Sequence, residues 1–187
     1  MNKPIPGRDY LPNQAEWPSS PTNKTPLLIK QALAFVLLFI LMQTSWQMMR
    51  DETVGHFVRA TLTVKPVVMM IHTISPQIGA IANGNQILAP GGGLVIKIGC
   101  EGVEALFILI AALLTSSIKW RAKLHGILIG TGLVYIFNQL RILILFYTFR
   151  TNKALFELLH SSIAPLTLVA IACLFYYYWL LKHERIA

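Results

Sequence analysis

The chain has 187 residues, of which 55% are hydrophobic and 13% charged, and a formal net charge of +8. Soluble domains average about 25% charged residues, and small ones have the most surface to cover. This composition excludes an ordinary cytosolic enzyme and a disordered chain, and two cysteines cannot form the disulfide framework of a secreted scaffold. In a membrane protein, the positive balance indicates which loops face the cytoplasm rather than a nucleic-acid partner.

The N-terminal residues 1–26 contain four prolines and many polar side chains, without an apolar core ahead of a cleavage site. They do not match a secretory signal peptide. We interpret them as a flexible cytoplasmic tail, and residues 27–187 as a single membrane-embedded domain.

Four windows are apolar over the roughly 20 residues that a helix needs to cross a bilayer. They are residues 27–46, 102–118, 124–149 and 163–181. The predicted fold class is therefore an all-α integral membrane protein with about four transmembrane helices.

The long loop 47–99 is predicted to lie on the outer side. Its apolar stretch 62–82 is interrupted by a lysine, a histidine and two prolines, which favours an interfacial or re-entrant helix over a straight span. A fifth span here would reverse the topology of everything that follows. Residues 86–89 and 94–98 flank a Pro-Gly-Gly-Gly turn and predict a short β-hairpin. The glycine run lacks the Lys-Ser/Thr pair of a phosphate-binding loop.

The distribution of lysine and arginine predicts that both termini face the cytoplasm. Three positive charges fall within the short connection from Lys119 to Lys123, and others lie near the two ends of the chain. Short, positively charged connections stay on the cytoplasmic side. The residues between the first two spans and between the last two therefore face outward.

Arg141 is the clearest ionisable residue within a predicted span. Such residues are costly in a bilayer and indicate function by default. Arg141 lies roughly 10 Å below the outer helix end, and Asn138 is on the same helix face. The alternative is that the Arg141 side chain extends to the outer headgroups and has no further role. The neighbouring Asn138 instead favours a strip of polar residues inside the helix bundle.

Cys100 lies between glycines at the outer end of the second span. A helix N-terminus and a nearby arginine both lower the pKa of a thiol. The alternative is inert packing, as expected for Cys173 deep in the last span. Glu101 and Glu104 are also near the outer interface, and two roles are open for Glu104: orienting a partner or pairing with Arg141.

His160 directly precedes the last span and is predicted at the same outer face, although an interfacial histidine without a role is an alternative. Three separate helices thus place Cys100, Arg141 and His160 on the same side of the membrane. Together they supply a nucleophile, an acid/base and an oxyanion donor. A structural zinc site is disfavoured because one Cys and one His fall short of four ligands. The remaining histidines carry less weight: His56, His72, His125 and His183.

These residues resemble the exosortase/archaeosortase family of multi-pass membrane cysteine enzymes. The resemblance rests on Gly-Cys-Glu-Gly at 99–102, Asn-x-x-Arg-Ile at 138–142 and His160, and it covers roughly residues 28–181. The short chain looks most like exosortase H. Glu101 stands where the family often has Ser or Thr, which leaves the subfamily and the substrate preference open.

The resemblance implies a transpeptidase-like reaction on exported proteins at the outer face of the bacterial inner membrane, with the active site facing the periplasm. Its substrates carry a C-terminal sorting signal made of a short motif, a transmembrane helix and a basic cluster. Cys100 would form a thioester acyl-enzyme, His160 would act as general acid/base, and Arg141 would stabilise the thiolate or the oxyanion. An amine or water would then accept the acyl group.

No flavin, nucleotide or metal signature is present in the sequence, so no cofactor is expected, and the expected partners are the substrate protein and membrane lipid, without nucleic acid. Two rival functions remain open at this point. A small transporter would also place Arg141 and Asn138 in a span but would not need Cys100. A non-catalytic scaffold of an envelope assembly would need none of these residues.

Overall fold

The computed structural model describes residues 25–184, and the predicted cytoplasmic tail up to residue 24 lies outside the described residues. The elements in chain order are α1 (Thr25–Met49), α2 (Thr53–Phe57), a first π segment (Val58–Val64), α3 (Lys65–Ile74), a 3₁₀ turn (Pro76–Ile78), β1 (Ile81–Asn83), β2 (Gln86–Leu88), β3 (Leu94–Val95), α4 (Val103–Thr115), α5 (Trp120–Thr151), α6 (Lys153–Leu158), a second π segment (Leu159–Ile163) and α7 (Ala164–Glu184).

Four helices in the described part of the chain are long and apolar enough to cross a membrane. They are Pro26–Met49, Thr53–Ile74, Trp120–Thr151 and Lys153–His183. The predicted fold class is confirmed, since the chain is helical, has four such helices and includes one small sheet. Three of the four contain the predicted windows 27–46, 124–149 and 163–181.

The remaining predicted window, 102–118, is wrong as a full-length span. Its helix, α4, has 13 residues, or about 20 Å at about 1.5 Å per residue, whereas a bilayer core is about 30 Å thick. Gly102 adopts a left-handed conformation immediately before α4, and Ser116 is extended immediately after it. Both departures from helical geometry shorten the helix.

The fourth long helix, Thr53–Ile74, lies where the sequence predicted an interfacial or re-entrant helix over 62–82. It begins earlier than expected and ends before Pro76. Its Leu62 carbonyl accepts hydrogen bonds from the α5 side chains of Tyr135 and Gln139, each at 3.0 Å. Farther along both helices, the Tyr147 hydroxyl donates to Ser75 at 2.9 Å. The helix therefore runs parallel to α5, beside its C-terminal half.

The N-terminal half of α5 packs with α4 and α7 around one apolar core, which we call the bundle core. Its buried members are Ala105, Leu109, Leu113, Ile118, Val134, Leu168, Ala172 and Trp179. α1 packs against α4, and Gln31 of α1 is hydrogen-bonded to Ser117 just beyond the end of α4. The start of α1 thus meets the end of α4, so these two helices are antiparallel.

The C-terminal half of α5 packs with α3 and the sheet around a second core, which we call the sheet core. Val64, Ile71, Ile87, Ile142 and Phe146 are among its fully buried members. The predicted hairpin is present, with β2 and β3 antiparallel across the Pro-Gly turn, and β1 adds a third strand that the sequence did not indicate.

The segment that joins β3 to α4 lies where the two cores meet. Cys100 is a member of the sheet core, whereas Ala105, only five residues later, belongs to the bundle core. The charged connection from Lys119 to Lys123 lies at the opposite end of α4. The fold therefore separates Cys100 from this basic connection by the whole length of that helix.

Candidate active site

Cys100 occupies a tight loop whose shape depends on the two glycines that flank its Cys-Glu pair. Gly99 and Gly102 have φ angles of 91° and 78°, a region that glycine enters without strain. A Cβ atom on Gly102 would also lie 2.9 Å from Cγ of Asn138. The loop is therefore pressed against α5, and the Cys100 side chain is only 8% exposed.

Asn138 fixes this loop to α5. Its amide nitrogen donates to the carbonyl oxygens of Cys100 at 3.3 Å and Glu101 at 3.0 Å, and the residue is 1% exposed. Buried carbonyl groups without a donor are costly, so these bonds hold the loop in one position. The amide oxygen of Asn138 has no hydrogen-bond partner within residues 25–184.

Arg141 lies about one helical turn beyond Asn138 on α5 and is 9% exposed. The guanidinium is close enough for its charge to act on the Cys100 thiol and on the carboxylate of Glu104. Its Nε atom finds no hydrogen-bond partner in the part of the chain that the structure describes. The side chain is thus buried in the protein, with an Nε donor that no described residue occupies.

His160 lies in the second π segment, between α6 and α7. Its ring stacks on Phe156, with centroids 5.3 Å apart, and Phe156 meets the edge of Phe149 at 5.2 Å. Leu159, the preceding residue, packs against the sheet core that contains Cys100. The charge of Arg141 also acts on His160. Arg141 is therefore close enough to influence both of the other predicted catalytic residues, Cys100 and His160.

Both π segments end two residues before a proline. The first ends at Val64, ahead of Pro66, and the second ends at Ile163, ahead of Pro165. Proline has no N–H group to donate to the carbonyl four residues earlier, and its ring crowds that carbonyl. At the first site this carbonyl belongs to Leu62, and α5 side chains supply its donors. π segments are frequent at functional sites, and these two contain Arg59 and His160.

Arg59 was missed by the sequence analysis as a residue of the site. Its Nη1 atom lies 3.2 Å from Oε1 of Glu101, and the two side chains are 6% and 0% exposed. The other carboxylate oxygen of Glu101 accepts a hydrogen bond from the Gly99 N–H at 2.7 Å. In the sequence, position 59 is an ordinary loop arginine, and Pro66, seven residues later, is the nearby signal of an irregular helix.

Glu104 lies near the same cluster but makes no ion pair with any described residue. Its charge acts on both Arg141 and Cys100. Of the two roles left open by the sequence, direct pairing with Arg141 is therefore not observed.

Burial raises the pKa of the Cys100 thiol above its ordinary value. The positive charge of Arg141 opposes this effect, while the carboxylates of Glu101 and Glu104 add to it. From the sequence alone, the arginine and the helix N-terminus were expected to lower this pKa. Arg141 does act in that direction, but desolvation of the thiolate is the larger effect.

An apolar groove of about 310 Å³ lies between α5 and α7 and reaches Arg141. Its lining is otherwise almost wholly apolar and includes Phe137, Leu145, Ala164 and Leu168. Arg141 is the member of the cluster that lines this groove, so it is reached along an otherwise apolar surface.

The other cysteine and three of the other histidines have surroundings or hydrogen-bond partners outside this cluster. Cys173 is exposed on α7. His125 and His183 are bonded to backbone carbonyls of their own helices, and His72 is bonded to the Ala80 carbonyl. Across residues 25–184, no three His, Cys, Asp or Glu side chains are grouped so that they could hold a metal ion.

These features define a multi-pass helical membrane protein with a polar cluster built around a buried cysteine. The sequence matches the model of the transmembrane exosortase family (Exosortase_EpsH) over residues 24–178. The chain belongs to this family, which confirms the resemblance found in the sequence. No curated protein and no solved structure matches the chain significantly.

The raised pKa of Cys100 predicts an unusual pH profile for its alkylation. In a Cys173→Ala background, the rate with a neutral thiol reagent should rise with pH and reach its midpoint above that of free cysteine, because the thiolate is the reactive form. Arg141→Met should move the midpoint higher still, since it removes the charge that favours the thiolate. A midpoint at or below that of free cysteine would contradict this electrostatic description.

Proposed function

We propose that the protein is a membrane-embedded cysteine peptidase or transpeptidase that cleaves the C-terminal sorting signal of exported proteins. The observation that carries the proposal is that the charge of Arg141 acts on both Cys100 and His160, which come from two other elements, and that Arg141 also lines an apolar groove. Membership of the transmembrane exosortase family supports the same activity.

The first half of the reaction forms a thioester. His160 takes the thiol proton of Cys100, and the resulting thiolate attacks the carbonyl carbon of the scissile peptide. Arg141 donates to the oxyanion of the tetrahedral intermediate through a guanidinium that has a free donor. His160 then returns the proton to the leaving amine as the C–N bond breaks. The C-terminal helix of the substrate is released, and the rest stays attached to Cys100.

The second half releases the product. Water or an amine attacks the thioester carbonyl, His160 accepts a proton from this nucleophile, and Cys100 leaves as a thiolate that is reprotonated. Because burial raises the pKa of Cys100, the resting group is the neutral thiol, so a base is needed at the start of each cycle.

We assign the groove between α5 and α7 to the substrate segment next to the scissile bond. The sorting signal includes a transmembrane helix, so this part of the substrate reaches the enzyme within the bilayer. An apolar groove that ends at Arg141 suits apolar side chains leading to a polar reaction centre.

The proposed site faces the periplasm of a bacterial inner membrane. The basic connection from Lys119 to Lys123 lies at the far end of α4 from Cys100, and such connections remain cytoplasmic. The cysteine loop is therefore assigned to the outer face.

The cysteine mechanism predicts opposite results for the two cysteines. Cys100→Ala should abolish processing of a co-expressed substrate that carries a sorting signal, while the protein still accumulates in the membrane. Cys173→Ala should process normally because Cys173 lies outside the cluster. The measured quantity is the fraction of processed substrate on immunoblots. Normal processing by Cys100→Ala would contradict a mechanism in which Cys100 is the nucleophile.

The groove assignment predicts that filling it blocks the substrate. Ala164→Trp places a large ring in the groove, so the substrate can no longer make its apolar contacts there. This change should reduce processing by roughly tenfold or more. Leu166→Trp is the matched control, since Leu166 is 68% exposed and does not line the groove. Equal processing by the two variants would contradict the assignment.

A further inference from the structure

The buried ion pair between Arg59 and Glu101 joins the cysteine loop to an element on which the proposed chemistry does not depend. The two residues are 42 positions apart in the chain, and their charged groups meet at 3.2 Å. Burying one charged group alone is strongly unfavourable, whereas a pair with further hydrogen bonds can be accommodated. Glu101 has such a bond, from the Gly99 N–H.

The position of Arg59 follows from the way its helix is attached to α5. Pro66 leaves the Leu62 carbonyl without its helical donor, and Tyr135 and Gln139 of α5 donate to it instead. Arg59 lies about one turn before Leu62 in the same π segment. The attachment to α5 thus fixes the position of Arg59, from which its guanidinium reaches the Glu101 carboxylate.

The cysteine loop is consequently held from two sides. Asn138 holds the backbone through the carbonyls of Cys100 and Glu101. Arg59 holds the Glu101 carboxylate, which in turn fixes the N–H of Gly99. The residue before and the residue after Cys100 are both restrained, so the direction of its side chain is restrained as well.

We propose that Arg59 is a positioning residue for the cysteine nucleophile, acting through Glu101. This inference rests on the proposed function, because it assigns Arg59 a role in aligning Cys100 for attack. Arg59 also neutralises a carboxylate whose charge acts on the thiol and disfavours the thiolate. The Glu101 side chain is fully buried, so a carboxylate at this position needs a charged partner, which Arg59 supplies.

The experiment compares Arg59→Met, Glu101→Gln and the double variant, each in a Cys173→Ala background so that Cys100 is the only thiol. Two quantities are measured for each: substrate processing, and the pH dependence of Cys100 alkylation in the membrane. Arg59→Met leaves an uncompensated carboxylate beside the thiol. It should slow processing by roughly tenfold and move the alkylation midpoint to higher pH. An effect of this size is typical of charged residues that are in contact.

The double variant is the decisive comparison. Removing both charges should restore the alkylation midpoint and bring processing to within about twofold of Glu101→Gln alone, since Arg59 then has no partner to hold. Arg59→Lys, which keeps the charge, should retain a midpoint near that of the parent protein. If Arg59→Met fails to accumulate, the double variant and Glu101→Gln still give this comparison.

Either of two results would overturn the inference: an unchanged alkylation midpoint in Arg59→Met, or a double variant much slower than Glu101→Gln. Failure of the proposed function would give a different result, namely normal processing by Cys100→Ala. The alkylation measurements need no substrate, so they test the role of Arg59 independently. Merely structural damage would lower accumulation without the recovery expected of the double variant.

Discussion

The hydrogen bonds from the Asn138 amide to the Cys100 and Glu101 carbonyls are the interaction on which the site depends. They join a short, glycine-bounded loop to the longest helix within residues 25–184, at the junction of two apolar cores. In such surroundings a carbonyl without a donor is costly, so the loop has one favourable position. Gly102 allows this approach because any side chain there would meet Asn138. The fixed loop then lies beside Arg141, one turn along α5.

Arg59 and His160 lie in helical segments that depart from α geometry. Pro66 and Pro165 each remove a backbone donor, and a π segment precedes each of them. The first contains Arg59, which pairs with Glu101, and the second contains His160. A proline therefore follows each of the irregular segments that hold Arg59 and His160. At the first segment the side chains of α5 satisfy the freed carbonyl, as the interior of a membrane protein requires.

Much of this organisation could be predicted because it rests on local patterns. Apolar windows predicted three of the four long helices, a Pro-Gly turn predicted the β2–β3 hairpin, and short motifs indicated the family. The 13-residue length of α4 was missed, because the apolar pattern of the sequence continues through Gly102 and Ser116. The helical backbone, in contrast, begins after Gly102 and ends before Ser116. The partner of Glu101 was also missed, since Arg59 is 42 positions away and contact across that separation depends on packing. The raised pKa of Cys100 likewise follows from burial, which no motif encodes.

The central claim, that Cys100 carries the acyl group, is tested most directly by trapping the intermediate. The enzyme keeps His160, since that residue is needed to form the thioester, and turnover of a signal-bearing substrate is stopped with acid, which preserves a thioester. Mass spectrometry of the quenched protein should show a hydroxylamine-sensitive adduct on the peptide that contains Cys100. The same adduct should be absent after Cys100→Ala. An adduct that persists without Cys100, or that lies on another residue, would contradict the account.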